Sequence, residues 1–501
     1  MSESAATSRT NEASATFCPA PLRIYVLAAA ILASSMAFID GSVLSIATPA
    51  IRANLGATLA DAQWISNGYM LFLASLLLLG GAAGDRFGLK RVFSTGIALF
   101  VLASLACALA PNPQSLIVSR AVQGIGAAFM VPSSLAIIAK AYPRDQRGWA
   151  IGIWASASSL TTILGPVIGG FVLTAFGEWS WRLVFAINLP LGLAALALLF
   201  WRVPDDAPAG DRKLDLLGGL LVTFALGLFA FGLTGDGSQS VPPPGHVLTY
   251  CALGVLLFLA FLFWERRARQ PMLPLGLFRN RSFSGANALT FALYFSLAAI
   301  GFYLPMTMIA GWGVSPAIAA LASLPLGIAL TLLSPVAGKL SDRYGPGPLI
   351  AGGATLVALA FAGLAMTAPL HNVWFAVIPL NALMGIGMGF VVSPLSTAVM
   401  TSLSDADSGI ASGVNNAVAR GAGLLAVALM GSVAALVFNA MMGGNVDGLS
   451  FGLPTGTGLA PEIEGARVAA TNAAFAAVAW ATAGLSLVSA IIAWVTLEKR
   501  L

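Results

Sequence analysis

An all-α integral membrane fold of about fourteen spans is what this sequence predicts, and three observations predict it. First, 58% of the 501 residues are hydrophobic, only 9% are charged, and the mean hydropathy is +0.88; soluble domains carry roughly 25% charged residues. Second, apolar runs of about 20 residues, the length that crosses a bilayer, recur along the whole chain. Third, Lys and Arg gather in every second connection between those runs, as the positive-inside rule demands. The 54 glycines agree, because small residues let membrane helices approach closely.

Residues 1–22 are Ser-, Thr- and Ala-rich and read as a disordered cytoplasmic tail. The apolar run that follows is too long for a signal-peptide core and is retained as a first span. Spans are expected near 23–49, 62–82, 91–110, 114–138, 148–176, 181–201, 214–234, 246–264, 282–309, 315–337, 348–367, 373–397, 408–438 and 470–496. The segment 439–469 is Gly-rich and polar and reads as an extracellular loop. With the N-terminus inside, twenty of the 25 Lys and Arg fall on the inner side. Outside lie only Arg52, Arg182 and Arg467, while Arg120 and Arg420 fall within spans. The expected topology is multi-pass in the cell membrane with both termini cytoplasmic.

The same survey narrows the function. Cys18, Cys107 and Cys251 have neither metal nor disulfide spacing. His246 and His371 sit in predicted loops, and no nucleophile, metal motif or acid/base cluster lies in a span, so an enzyme is not indicated. Without a G-x-x-x-x-G-K-[ST] loop, ATP-driven pumping by this chain has no basis. The net charge of +5 reflects membrane topology, not nucleic-acid binding.

An internal repeat organises the spans. The connection after the second span reads Gly81-Ala-Ala-Gly-Asp85-Arg86-Phe-Gly88-Leu-Lys90-Arg91, and that after the tenth reads Gly338-Lys-Leu-Ser-Asp342-Arg343-Tyr-Gly345. Both fit G-x-x-x-D-R-[FY]-G. Eight spans separate them, which puts both on one side and fits a parallel duplication of six-span halves. The halves are then 23–201 and 271–501, with two additional spans inserted in 202–270. Gly permits a tight turn, and Asp and Arg at a membrane edge can pair across helices or cap them; the loops read as a conformational latch.

These loops resemble the A-motif of the major facilitator superfamily, and the 6 + 2 + 6 layout is similar to its fourteen-helix drug:proton antiporter branch. Further stretches resemble that branch: Phe-Ile-Asp40-Gly-Ser-Val-Leu-Ser-Ile-Ala-Thr-Pro49, Arg120-Ala-Val-Gln123-Gly124-Ile-Gly126, Gly165-Pro166-Val-Ile-Gly169-Gly170, and Trp181 through Pro190. Leu89 departs, since a basic residue is common there, and the second A-motif degenerates after Gly345. The resemblance implies a secondary transporter, and Gly165, Pro166, Gly169 and Gly170 imply exchange over symport.

Asp40 is the only acidic residue deep in a predicted span, and such a charge costs at least about 2.5–3.5 kcal/mol unless it finds a cavity, a partner or a proton. Counted at 1.5 Å per residue, it lies roughly 14 Å below the outer end of its span near Pro49, and Arg120 roughly 10 Å below its own. The similar depths suggest a pair. Desolvation favours the protonated acid and a neighbouring Arg the ionised one, so moving either charge would toggle a proton. A static ion pair that only fixes packing is the competing reading; the resemblance implies proton coupling.

For substrate contact the family fold implies a cavity bordered by spans 1, 4, 9 and 12. The candidates there are Met36, Gln123, Asn287, Phe291, Tyr294, Asn381 and Met384. Arg420 has no remaining deep acid to pair with; it is expected to bond carbonyls or Asn415 and Asn416, or to hold an anionic group. The expected activity is proton-coupled antiport of hydrophobic or amphiphilic small molecules by a monomer, with the proton gradient as energy source and no cofactor, metal or nucleic acid. A dedicated exporter of a metabolite, lipid or siderophore is the alternative, and a membrane-embedded enzyme or receptor a remote one.

Overall fold

The computed structural model describes residues 16–208, 213–237, 241–403, 408–443, 448–453 and 459–498. Most of the N-terminal tail lies outside them, as do Arg9, Arg212, Lys499 and Arg500 of the basic inventory. Among the described residues fourteen helices are long and apolar enough to cross a membrane, and no strand occurs.

In chain order these are α1 (Arg23–Leu55), α2 (Leu59–Phe87), α3 (Leu89–Ala108), α4 (Pro113–Ala141), α5 (Arg144–Phe176) and α6 in two pieces (Trp181–Ala186 and Asn188–Arg202). The inserted α7 (Leu216–Thr234) and α8 (Pro244–Arg267) follow. The last six are α9 (Arg281–Met306), α10 (Pro316–Leu321 and Leu324–Tyr344), α11 (Pro346–Thr367), α12 (Ile378–Thr401), α13 (Ser408–Met441) and α14 (Pro461–Thr496). Local chemistry sets several starts. Thr58 and Asp61 close a reciprocal capping box on α2, which satisfies donors the first turn leaves open. Asn112 caps α4, and Gly56 ends α1 in the left-handed region at φ +63°.

Three expectations are corrected. Pro49 does not end the first helix; α1 continues to Leu55 with Pro49 inside it, so Asp40 lies roughly 22 Å from that end and near mid-helix. The predicted loop 439–469 is helical from Pro461, because Pro at the first helical position together with Glu462 and Glu464 in the first turn suits a helix start. Arg467 is therefore buried in α14, pairing with Glu464 and donating to the Ala310 carbonyl at 3.0 Å. His246 likewise lies in the first turn of α8, its ring against Phe231 and Tyr250.

The two sets of six helices pack alike. In the first, α4 packs on both α2 and α3; in the second, α12 packs on both α10 and α11. Gly96 and Gly126 meet at the α3–α4 crossing, and Gly353 and Gly387 meet at the α11–α12 crossing. A Cβ on Gly387 would come within 2.6 Å of the Gly353 carbonyl, and one on Gly126 within 3.0 Å of the Gly96 carbonyl. Only glycine lets the backbones approach so closely. The inserted hairpin sits outside this frame, with α8 on α7 and α7 against α2 and α13.

Candidate functional site

The G-x-x-x-D-R-[FY]-G loops fold alike as well. Gly88 (φ +94°) and Gly345 (φ +80°) make the turns into α3 and α11 in the left-handed region that favours glycine. The Arg86 and Arg343 guanidinia lie 5.2 Å from the adjoining Phe87 and Tyr344 rings. The segment after α6 ties down the first copy. Asp206 accepts from the backbone N–H groups of Leu89 and Lys90, both at 2.9 Å, and from Lys140 Nζ of α4 at 2.8 Å; Lys90 pairs with Asp205 at 2.9 Å. In the second copy the Gly347 N–H donates to the carbonyl of Glu498, beyond α14, at 3.1 Å. Leu89 is buried against Gly84, so an apolar side chain fills this place in the loop. Gly81 and Gly338 lie half-buried; Asp85, Arg86, Arg91, Asp342 and Arg343 are exposed.

Within the first six helices the chain buries one ion pair. Arg120 of α4 donates from Nη1 to Asp40 of α1 at 2.5 Å, with both side chains at most 1% exposed. Gln123, one turn along α4, donates to the other Asp40 oxygen at 3.1 Å and to Ser104 at 2.8 Å, and accepts from Arg120. Ser104 also accepts from Asn188 of α6 at 2.9 Å, and Arg120 Nε donates to the Ile65 carbonyl of α2 at 3.0 Å. The guanidinium lies 4.4 Å from the centre of the Tyr69 ring and 5.6 Å from that of Phe185. Five helices thus converge on one charge pair. Ser104, Tyr69 and the Ile65 carbonyl carried no signal in the sequence, since a serine, a tyrosine and a backbone oxygen in an apolar span look ordinary.

Beside this pair lies a cavity of about 450 Å³ between the two sets of helices, within the range of small-molecule sites. Its wall begins one residue past Asp40 at Gly41 and Ser42, and includes Ser66, Pro166, Asn381 and Met384. The hydrogen bonds that cross between the halves cluster at the ends away from the repeat loops. Arg52 donates to the Phe451 carbonyl at 2.6 Å and to Ser450 at 2.9 Å, Gln63 to the Val427 carbonyl at 2.7 Å, and the Ala317 N–H to Thr174 at 3.0 Å.

Residues 30–428 match the Major Facilitator Superfamily profile. The chain belongs to the major facilitator superfamily. It is 33% identical over 400 residues to the multidrug resistance protein B homolog of Mycobacterium tuberculosis (strain ATCC 25618 / H37Rv), covering 79% of this chain and 72% of that protein. It is 33% identical over 413 residues to the methylenomycin A resistance protein of Bacillus subtilis (strain 168), covering 82% and 87%. It is 31% identical over 406 residues to the tetracenomycin C resistance and export protein of Streptomyces glaucescens, covering 79% and 73%. In fold it is similar to a bacterial homolog of the human lysosomal transporter Spinster (TM-score 0.62, 17% identity, 95% and 97% covered) and to the POT family transporter PepTSo (0.63, 14%, 94% and 97%). The protein is a multi-pass membrane transporter of this superfamily.

In this facilitator the G-P-x-x-G-G segment of α5 is a seam. Gly165 faces Ile39 and Ser42, Gly169 faces Val43 of α1, and Gly170 lies against Pro316 and Ala320 of α10. Pro166 faces the cavity. Of the substrate-contact candidates, only Asn381 and Met384 line that cavity. Met36 is fully buried, with Gly192 of α6 against its sulfur. Gln123 is consumed by the ion-pair network. Asn287 is buried, donating to the Phe283 carbonyl and accepting from Asn415, and half-buried Tyr294 packs against the core of the second half. Phe291 faces a different, apolar crevice beside the inserted hairpin. The aromatic spacing along α9 was legible, but several faces of a span satisfy such spacing and only packing selects one.

Proposed function

We propose that this facilitator exports hydrophobic or amphiphilic small molecules across the cell membrane in exchange for protons, as a single chain with both termini cytoplasmic. The carrying observation is the buried Asp40–Arg120 pair one residue from the cavity wall. Its placement supports coupling by charge competition. Arg120 and Gln123 hold the Asp40 carboxylate in the present packing; when rearrangement of α1 against α4 draws the guanidinium away, a proton replaces it as the countercharge that an acid in the membrane requires. Protonation in turn releases Arg120, so the proton state and the packing of five helices bias one another.

Orientation follows from charge: the repeat loops carry the basic residues, which the positive-inside rule places in the cytoplasm. The bonds that Arg52 and Gln63 donate and the one that Thr174 accepts then close the outer side, the state in which cargo is collected from within. The relatives' names support export. The proton gradient supplies the energy, and no cofactor is invoked.

The test is purified protein in liposomes under an imposed pH gradient, wild type against Asp40→Asn. The variant is expected to lose gradient-driven accumulation while retaining cargo binding; undiminished gradient-driven transport would refute the assignment. A dedicated exporter of one compound is a second reading, favoured by relatives named for resistance to single antibiotics, methylenomycin A and tetracenomycin C. A flat response across unrelated cargo in the same assay selects the multidrug form, and a single responsive compound the dedicated one.

A further inference from the structure

Arg420 is the charge in the membrane interior for which the transport cycle outlined above has no use. It lies twelve residues into α13 (Ser408–Met441), roughly 18 Å from the end beside the repeat loops, well inside the hydrocarbon layer. A cation there is costly unless a cavity, a partner or a ligand receives it.

No oxygen that a purely structural role requires accepts from it: among the described residues Arg420 donates no hydrogen bond. Asn415 donates to Thr290 at 2.8 Å and to Asn287 at 3.3 Å, and Asn416 donates to the Ser412 carbonyl. Asp40, the one acid at comparable depth in the first half, is held by Arg120 and Gln123. Among the described residues Arg420 makes no salt bridge.

Its position points to the cavity. At 3.6 residues per turn, Arg420, Gly423 and Val427 fall within about 60° of one another on α13. Gly423 and Val427 line the cavity between the halves. Of the α13 residues that face the apolar crevice, Val414, Val418, Gly421 and Leu425 lie about 100° or more round the helix from Arg420, and Ala417 about 60°. Arg420 is thus half-buried and lies one turn toward the repeat loops from the cavity wall at Gly423.

We infer that Arg420 is the polar anchor of the cargo site, and that the preferred cargo is an amphiphile bearing one anionic group, a carboxylate or sulfonate, with its apolar body in the cavity beyond. With the Asp40–Arg120 pair internally neutral, Arg420 leaves the cavity region with an uncompensated positive charge. A planar guanidinium offers forked donors that suit an oxyanion. The largely apolar cavity wall, broken by a few hydroxyls and Asn381, suits an aromatic or aliphatic body. Binding of an anion supplies the countercharge that the fold withholds.

This inference rests on the export reading only for the direction of movement, and its test requires no proton gradient. Equilibrium binding of two matched fluorescent probes, pyrenesulfonate and pyrenylmethylammonium, is measured on purified protein in detergent, with protein-free micelles subtracted. Wild type is expected to bind the sulfonate at least tenfold more tightly. Arg420→Gln should weaken sulfonate binding about tenfold and leave the ammonium probe unchanged or tighter, and Arg420→Lys should restore part of the loss. Equal weakening of both probes, or loss of the monodisperse species in both variants, would show that Arg420 supports packing and would overturn the inference. An unchanged sulfonate-to-ammonium ratio in Arg420→Gln would overturn it as well. A failure here leaves the Asp40→Asn liposome result standing, so the two readings are separable.

Discussion

At the scale of single residues, the chemistry of this protein turns on how charges in hydrocarbon find partners. Asp40 and Arg120 are both almost wholly buried, and their bond is reinforced by Gln123, Ser104 and Asn188. Removing one member of such a pair strands the other, at a cost of about 3–5 kcal/mol, whereas removing both is far milder. Arg120→Gln is therefore expected to destabilise the protein by that amount, and Asp40→Asn combined with Arg120→Gln by clearly less than the sum of the two single changes. Unfolding by SDS titration from mild detergent measures the cycle; strict additivity would mean the two side chains do not depend on each other. Arg52 solves the same problem by a different route, donating to two carbonyls and Ser450 with no acid in its hydrogen-bond set.

At the scale of elements, the start of α3 shows how a loop becomes a fixture. Asp206, outside the spans, accepts the first two N–H groups of α3 and the Lys140 ammonium. Burial pushes its carboxyl up, but these donors outweigh burial and hold it below the ordinary carboxylate value. A depressed folded-state value contributes stability above the unfolded value, near pH 4, and that stability is lost as pH falls through the folded value. Asp206→Asn should cost about 0.5–2 kcal/mol, the range for a lost helix cap, at pH 7. The difference from wild type should shrink as pH falls below 4 in thermal unfolding scans; a difference that persists unchanged into acid would show that the contribution is not ionic. The equivalent place in the second half is served by the Glu498 carbonyl.

At the scale of the whole molecule, the cavity between the halves is sealed on one side by a few polar contacts. Leaving a buried partner unsatisfied costs about 1–3 kcal/mol, and each 1.4 kcal/mol shifts a two-state ratio tenfold. Arg52→Ala deprives the Phe451 carbonyl and Ser450 of their donor and should raise the population open on that side by about tenfold. A cysteine at Ser45, which lines the cavity, reports this in a Cys251→Ser background: labelling by an impermeant maleimide from the side of Arg52 should accelerate. An unchanged labelling rate would show that the seal does not depend on Arg52.

Hydrophobicity, span length and the placement of Lys and Arg are local quantities, and they alone sufficed for fourteen spans, because a backbone in lipid has almost no alternative to a helix. The paired loops were legible for the same reason, since a turn that requires glycine at Gly88 and Gly345 leaves its mark in the chain. The meeting of Asp40 with Arg120 could be read from depth, because few charges exist at that level to choose among. Tertiary structure alone decided which face of each helix looks where. Met36 and Gln123 turned inward to the first half, Phe291 turned to the crevice beside the inserted hairpin, and Asn381 and Met384 turned to the cavity. A span that is apolar nearly all round carries no moment strong enough to orient it, so its rotation is settled by small residues and close contacts with neighbours. Arg420 shows both sides of this division: its cost in the membrane is written in the sequence, but that no oxygen among the described residues accepts from it is visible only once α13 is packed.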